Sequence, residues 1–394
     1  MSAPTHRRFA SPPAASGAWF EGDPVGERKF ADVGSLALEA GGVLPDVTLA
    51  YETWGELNEE RSNAVLVLHA LTGDSHVKGE AGNGHATEGW WTELIGPGAA
   101  IDTDQYFVVA PNVLGGCQGS TGPASRGPDG RLWGPRFPFI TVRDSVEAEV
   151  RLADQLGVRR WRMVIGGSMG GMRALEWAAC YPDRVERVVP IATIAKTSAD
   201  QIAWAHSQLL AITSDPGFHG GHYYGLPDGE GPHAGLSLAR QIAQTTYRSA
   251  EELEERFGQN AQGEEDPWRG GRYAVQSYLE YQGEKFVRRF DANSYKTLTE
   301  MFMAHDLGRG RGGVQAALAT ITARTLVVAV DSDRLCFPEE SEVIARGVAD
   351  PEGVELVRSH RGHDGFLIEF HQFGPLIKNF LENPVGAVPL KLAV

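Results

Sequence analysis

Short apolar runs rich in Val, Ile and Leu, bounded by turn-forming residues, recur along this chain and alternate with stretches whose apolar positions repeat every three to four residues. The first pattern predicts strands and the second helices. Val47–Glu52 alternates like an early antiparallel strand, whereas Asn63–His69 and Tyr106–Ala110 are apolar on both faces and read as buried strands. Asp144–Leu156 reads as an amphipathic helix, with Val146, Val150, Leu152 and Leu156 on its apolar side. Trp161–Ile165 is the next strand and Met172–Cys180 the helix after it. Arg187–Ile191 and Thr325–Val330 are two more buried strands, Val354–Val357 a shorter one, and His371–Leu381 a closing helix. Strands without a polar face need cover on both sides. The pattern therefore predicts an α/β fold, a mostly parallel central sheet flanked by helices.

That rhythm stops between about residues 195 and 309. No strand-like run occurs there, but helical patterns do, at Ser198–Ala211, Leu236–Tyr247, Ala250–Phe257, Arg272–Phe290 and Asn293–Met303, separated by the glycine-rich loops Gly217–Gly231 and Gly258–Gly271. Residues 196–309 are therefore expected to form a helical lid inserted into a core made of 26–195 and 310–394. Residues 1–25 have no apolar core of their own. Rich in Ala, Pro and Ser at their start, they resemble neither a secretory signal nor a transit peptide, and are expected to be a disordered lead. No internal repeat appears.

The strand Trp161–Ile165 runs into Gly-Gly-Ser-Met-Gly-Gly at 166–171, and a helix follows at once. This is Gly-x-Ser-x-Gly in a strand–turn–helix setting, which lifts a serine hydroxyl out of the sheet at a helix N-terminus. Ser168 is the expected nucleophile. Gly166 and Gly170 are expected to be obligatory because a Cβ at either would strike a neighbouring strand or helix. A serine hydroxyl needs a base, and the base needs an orienting group. In this arrangement the order along the chain is serine, acid, histidine, at the ends of later strands. Thr325–Val330 ends in Asp331-Ser332-Asp333-Arg334-Leu335, and Val354–Val357 leads to Ser359-His360-Arg361-Gly362-His363-Asp364. Asp331 abuts its strand while Asp333 reaches further into the loop; His360 has an exposed, charged setting while His363 lies in a tight Gly-His-Asp-Gly turn. Asp333 and His363 are the preferred pair. Two N–H donors must hold the developing oxyanion. Met169, just after the serine, is one; Leu71, in the turn that Gly73 permits after Asn63–His69, is the other.

Composition narrows the function classes. The chain has 394 residues, 42% hydrophobic and 22% charged, with 36 basic against 51 acidic residues and a formal charge of −15. An acidic balance argues against nucleic acid and against a polybasic membrane patch. No apolar run approaches the roughly 20 residues that span a bilayer. Cys117, Cys180 and Cys336 are odd in number and far apart. That suits a reducing cytoplasm and offers no metal-site spacing.

Longer segments are more specific than the serine turn. Leu-Ala-Tyr-Glu-Thr-Trp-Gly (49–55), His-Ala-Leu-Thr-Gly (69–73), Gly-Trp-Trp (89–91), Asn-Val-Leu-Gly-Gly-Cys-Gln-Gly-Ser-Thr-Gly-Pro (112–123), Ala-Arg-Gln-Ile-Ala-Gln-Thr-Thr-Tyr-Arg-Ser (239–249), Arg-Phe-Asp-Ala-Asn-Ser-Tyr (289–295) and Gly-His-Asp-Gly-Phe-Leu (362–367) together resemble the homoserine O-acetyltransferases of methionine biosynthesis, on the α/β-hydrolase fold. The likeness runs from about Phe30 to Leu381. It implies the triad Ser168–Asp333–His363, ping-pong transfer from acetyl-CoA as co-substrate, and no metal or bound prosthetic group. It also implies homoserine contacts from Arg240 and Tyr247, and from Asp364 beside the base, and a homodimer built through the helical insertion. Each contact is chemically apt. A guanidinium grips the amino-acid carboxylate, a phenol adds a hydrogen bond, and a carboxylate accepts the α-ammonium. Relatives with succinyl donors carry arginine two places after the triad acid, where this chain has Leu335, so an acetyl donor is expected. The alternatives are a succinyl-CoA or serine-accepting transferase on the same frame, a plain serine esterase, and a catalytically silent interaction protein.

Overall fold

The computed structural model of the chain describes residues 11–383. Residues 1–10 of the expected lead and 384–394 of the expected core lie outside the described residues. Eight strands form one sheet: β1 (Lys29–Ala37), β2 (Val43–Trp54), β3 (Ala64–Leu68), β4 (Phe107–Pro111), β5 (Met163–Gly167), β6 (Arg187–Ile191), β7 (Arg324–Val330) and β8 (Pro351–Val357), in the spatial order β1-β2-β4-β3-β5-β6-β7-β8. Only the β1–β2 and β2–β4 pairs are antiparallel. The sheet is otherwise parallel. β3, β5, β6 and β7 are buried at every residue. Their side chains alternate between two cores. Leu66, Val164, Val188 and Val327 join one, and Val65, Val67, Met163, Ile165, Val189 and Val328 the other.

Four strands depart clearly from the pattern read in the sequence. β2 runs from Val43 to Trp54 where Val47–Glu52 is expected, and β8 starts at Pro351 and equals β7 in length where a shorter Val354–Val357 is expected. β1 has no counterpart in the expected elements. Its buried positions Ala31, Val33 and Leu36 break alternation where the register shifts around Gly34. A bulge of this kind hides a strand from a period-two search. β5 runs two residues beyond the expected Trp161–Ile165. Gly166 and Gly167 keep pairing with Pro190 and Ile191 until the backbone turns at Ser168, while Trp161 makes only an isolated bridge to Val185.

The helices are α1 (Val142–Gln155), α2 (Met169–Cys180), α3 (Ala199–Thr213), α4 (His233–Tyr247), α5 (Ala250–Phe257), α6 (Ala274–Val287), α7 (Ala292–Met303), α8 (Val314–Ala319), α9 (Pro338–Gly347) and α10 (Phe370–Glu382). Thr141 starts α1 with a capping box to Asp144, and Ser198 starts α3 with one to Gln201. Such boxes satisfy amides that helix starts leave unpaired. α1, α2, α8 and α9 supply the first core; Phe373, Ile377, Phe380 and Leu381 of α10 supply the second. Between β6 and β7 the chain leaves the sheet through α3–α8, where α3 packs on α4 and α7, and α4 on α6.

The expectation of a disordered lead is corrected for residues 11–25. They form no helix or strand, yet the Ser16 hydroxyl donates to Asp291 (2.7 Å), the Gly17 amide to Phe290 O (3.2 Å) and the Trp19 amide to Cys117 O (2.9 Å). A Cβ at Gly17 would lie 2.6 Å from the Phe290 nitrogen. Small residues let this backbone lie flat on its neighbours, and that kind of order leaves no hydrophobic period to read.

Candidate active site

Ser168 sits between β5 and α2 with φ 56° and ψ −123°, a left-handed φ that a residue with a Cβ adopts only under strain. The Ser168 amide donates to Ile191 O (2.9 Å), and the Thr193 hydroxyl donates to Ser168 O (2.6 Å), so the turn is pinned from β6 and the residues beyond it. The flanking glycines are set by close approach. A Cβ at Gly170 would stand 2.0 Å from Leu68 O, and one at Gly166 would stand 2.5 Å from the Gly170 carbonyl.

The Ser168 hydroxyl lies 2.9 Å from His363 Nε2, and His363 Nδ1 lies 2.6 Å from Asp333 Oδ2. The other oxygen of Asp333 accepts the amides of Leu335 (2.8 Å) and Cys336 (2.9 Å). Asp333 and His363 are each only 3% exposed, so this row is shielded from water on all but the serine side. Burial pulls the His363 pKa down, but the charge and hydrogen bond of Asp333, with Asp364 nearby, outweigh it and leave the imidazole above its ordinary 6.5. The rival residues are engaged elsewhere. Asp331 Oδ1 accepts the Ser359 amide (2.9 Å) and ties the ends of β7 and β8 together, while the half-exposed His360 faces Glu255 at 3.6 Å.

On the opposite wall, residues 69–74 make a turn closed by the Gly73 amide donating to Ala70 O (2.9 Å). Gly73 is required there by crowding, since a Cβ would lie 2.9 Å from that of His69. His69 anchors the turn. Its Nε2 accepts the Val113 amide (2.9 Å), and its Nδ1 donates to Ala70 O (2.7 Å). Burial, reinforced by the Arg173 charge, pushes its pKa down to about 3, so the ring is neutral. Arg289 adds a second tie, donating to Thr72 O at 2.6 Å. Among the described residues neither the Leu71 nor the Met169 amide has a hydrogen-bond acceptor. Two free N–H groups beside a serine can stabilise negative charge on a carbonyl oxygen.

The hydroxyl opens into a cleft of about 770 Å³, counting its open mouth, walled by α3, α4, α7 and the loops carrying Leu71, Leu335 and His363. Arg240, Tyr247, Asp364 and Leu335 all line it. The Arg240 guanidinium stacks over Tyr247 (5.3 Å) and Phe286 (4.9 Å) and has no carboxylate partner among the described residues. The Tyr247 ring lies 5.9 Å from that of His363. Asp364 is already paired, its Oδ2 lying 3.1 Å from Arg248 Nη2. Sequence reading missed Arg248, Arg289 and the lining residues Gln201 and Tyr295. Adjacency to Tyr247 was the only available signal for Arg248. Cys117 is buried away from the cleft lining, and burial pushes its thiol up to about 12.

Among the described residues two clusters have the composition of metal sites, Glu52–His76–His85 and Asp333–Cys336–His363. In the first, His76 is committed on both ring nitrogens, while His85 Nδ1 is buried with no hydrogen-bond partner among the described residues. His76 Nδ1 and Nε2 face Glu52 and the Glu80 carbonyl, and His85 Nε2 accepts the Glu27 amide. The two rings also stack 3.7 Å apart and 13° from parallel, which prevents their in-plane lone pairs from meeting at one ion. In the second cluster, burial pushes the Cys336 thiol well up and the two other members hold each other.

A family model described as the alpha/beta hydrolase fold matches residues 63–370. The homoserine O-acetyltransferase of Thermobifida fusca (strain YX) is 58% identical over 371 residues, covering 94% of this chain and 98% of that protein. Among solved structures, the homoserine O-acetyltransferase of Bacillus anthracis superposes with a TM-score of 0.83 at 27% identity, covering 92% of this chain and 99% of that one. Esterase E22 superposes with 0.82 at 26% identity, covering 90% and 100%. One frame thus accompanies both acyl transfer and ester hydrolysis.

Proposed function

The chain belongs to the homoserine O-acetyltransferase family on the α/β-hydrolase fold, and from that premise we propose how its residues move an acetyl group from acetyl-CoA to the hydroxyl of L-homoserine. The observation that carries the reading is the Ser168–His363–Asp333 row opening into a cleft whose wall holds a guanidinium, Arg240, with no carboxylate partner among the described residues.

In the first half-reaction His363 Nε2 takes the Ser168 proton as the oxygen attacks the thioester carbonyl. The Leu71 and Met169 amides hold the oxyanion, and Asp333 stabilises the imidazolium. Collapse of the intermediate expels CoA, which recovers the proton, and leaves acetyl-Ser168. In the second, His363 takes the proton of the homoserine γ-hydroxyl as it attacks the acetyl carbonyl, then returns a proton to Ser168 as O-acetylhomoserine leaves. Arg240 binds the acceptor's carboxylate, Tyr247 adds a hydrogen bond, and Asp364 takes the α-ammonium. Holding the alcohol in line contributes ~7 kcal/mol or more over free water, the advantage a transferase needs. Leu335 forms an apolar wall suited to acetyl. A succinyl carboxylate set against it unpaired costs several kcal/mol.

No metal or prosthetic group enters this scheme. The lid is the segment 196–309, and its exposed Leu210 on α3 and Leu238 on α4 support a homodimer formed through it. No helix among the described residues is long and apolar enough to cross a membrane. The cytoplasmic location read from the sequence rests instead on the three widely spaced cysteines and the biosynthetic family. The test is a CoA-release assay with homoserine, serine and water as acceptors and acetyl-CoA against succinyl-CoA as donors. Release that does not depend on homoserine turns the reading into a thioesterase. Equal use of succinyl-CoA removes the donor assignment.

A further inference from the structure

The corner between α4 and α5, Tyr247-Arg248-Ser249, is bolted onto the loop that carries His363. A Cβ at Gly362, whose φ is +65°, would lie 2.5 Å from Tyr247 O and 2.7 Å from the Ser249 nitrogen. The Ser249 hydroxyl donates to His360 O while accepting the Glu252 amide (3.0 Å). Glu252 is fully buried and collects three cations. Arg256 Nη1 donates to it at 2.9 Å, Arg361 Nη1 at 3.0 Å, and Arg248 Nη1 at 3.2 Å. The other arm of Arg248 reaches Asp364 Oδ2 at 3.1 Å. Arg248 is thus a fork held at one end by a buried carboxylate and at the other by one oxygen of the carboxylate that faces the cleft. Neither Asp364 oxygen accepts a hydrogen bond among the described residues: Oδ2 is held by the ion pair alone, Oδ1 has no charged partner, and Asp364 lines the cleft beside His363.

We propose that Arg248 is a positioning residue for recognition of the acceptor's amino group: anchored on Glu252, it occupies Asp364 Oδ2 and presents Oδ1 to the cleft. This rests on the reading of Asp364 as the ammonium contact. A lone carboxylate turns freely about its last bond and shares its charge with water. One oxygen drawn to an anchored guanidinium nitrogen gives the carboxylate a preferred plane, so the amino acid can be held in one orientation with its γ-hydroxyl toward His363. The fork geometry matters because a lysine offers all its donors from one nitrogen, without the planar spacing by which Nη1 meets Glu252 and Nη2 meets Asp364. Two neighbouring cations, Arg256 and Arg361, stay on Glu252 when Arg248 is replaced, so the buried carboxylate is not left unpaired.

The experiment compares two acceptors of acetyl-Ser168, L-homoserine and 4-hydroxybutyrate, which is homoserine without its amino group. In Arg248→Met the homoserine kcat/KM should fall at least tenfold, largely through KM. The value for 4-hydroxybutyrate and the rate of acetyl-Ser168 formation from acetyl-CoA should stay within about twofold. The preference for homoserine over the des-amino acceptor therefore collapses. Asp364→Asn should collapse the same preference. If it does not, Asp364 is not the ammonium contact and the acceptor reading fails. If Asp364→Asn collapses the preference while Arg248→Met leaves it intact, or lowers both acceptors alike, the positioning role is wrong and the acceptor reading stands. Arg248→Lys serves where the methionine variant does not fold. Keeping the charge but not the fork, it should lower the preference at least threefold, and an unchanged preference overturns the proposal.

Discussion

Replacing Asp333 by asparagine tests the proposed catalytic row through a single proton. Asp333 Oδ1 accepts two main-chain amides, Leu335 at 2.8 Å and Cys336 at 2.9 Å, and these fix which way an asparagine would sit. Its amide oxygen must stay on them, because the alternative sets N–H against N–H in a buried pocket. The NH2 group then points at His363 Nδ1, where Oδ2 now lies at 2.6 Å. Facing a donor, Nδ1 must become the acceptor, so the imidazole proton moves to Nε2. That nitrogen is 2.9 Å from the Ser168 hydroxyl and can no longer take its proton. The fold is kept and the base is lost. In the serine protease triad this wrong tautomer costs about 10⁴ in kcat, equivalent to about 5.5 kcal/mol of barrier. The same order is expected here for acetyl-Ser168 formation, read by rapid-quench mass spectrometry, with an unchanged circular dichroism spectrum. Asp331→Asn is the matched control. It loses only part of a loop contact to Ser359 and should stay within a few-fold of the parent. A loss below tenfold in Asp333→Asn, or an equal loss in both variants, would refute the reasoning.

Because His363 titrates above its ordinary 6.5 and acts as a base only when neutral, kcat/KM for acetyl-CoA should fall as pH drops through a value above 6.5; an acid limb below 6.5 contradicts the assignment. Arg240→Ala should lower the homoserine step roughly 10- to 150-fold, the worth of a charge-assisted contact of about 1.5–3 kcal/mol, and leave acetylation of Ser168 alone; half-reaction kinetics would reveal the opposite pattern. Leu335→Arg should narrow or invert the acetyl-over-succinyl preference, and an unchanged ratio of kcat/KM values removes Leu335 from donor choice. Gly170→Ala sets a methyl 2.0 Å from Leu68 O, so the end of β3 and the Leu71 turn must shift; a stability loss of about 1–3 kcal/mol in denaturant titration is expected, with activity lost even where the protein is folded.

What the sequence determined by itself is local. Val, Ile and Leu runs marked the buried strands because burial on both faces demands apolar residues throughout, and Arg187–Ile191 was legible to the residue. The glycines around Ser168 marked the turn because backbone packing there excludes a Cβ. The long shared segments marked the family. Other features were decided only when distant segments met. Asp331 and Asp333 are two residues apart on one loop, and only their distance from the strand end separates them locally. Asp333 lies against a histidine 30 positions on, just as the Ser168 hydroxyl meets the same ring across 195. β1 stayed hidden behind a bulge that makes sense only against β2. The pairing of Asp364 with Arg248 joins an insertion helix to a loop of the core. Periodicity and turn chemistry are read from neighbours in sequence, whereas the direction of a charged side chain is set by whichever partner the fold brings to it. Most elements and the members of the Ser168–Asp333–His363 row were therefore legible along the chain, whereas the bulged β1 and the ion pair of Arg248 with Asp364 were not.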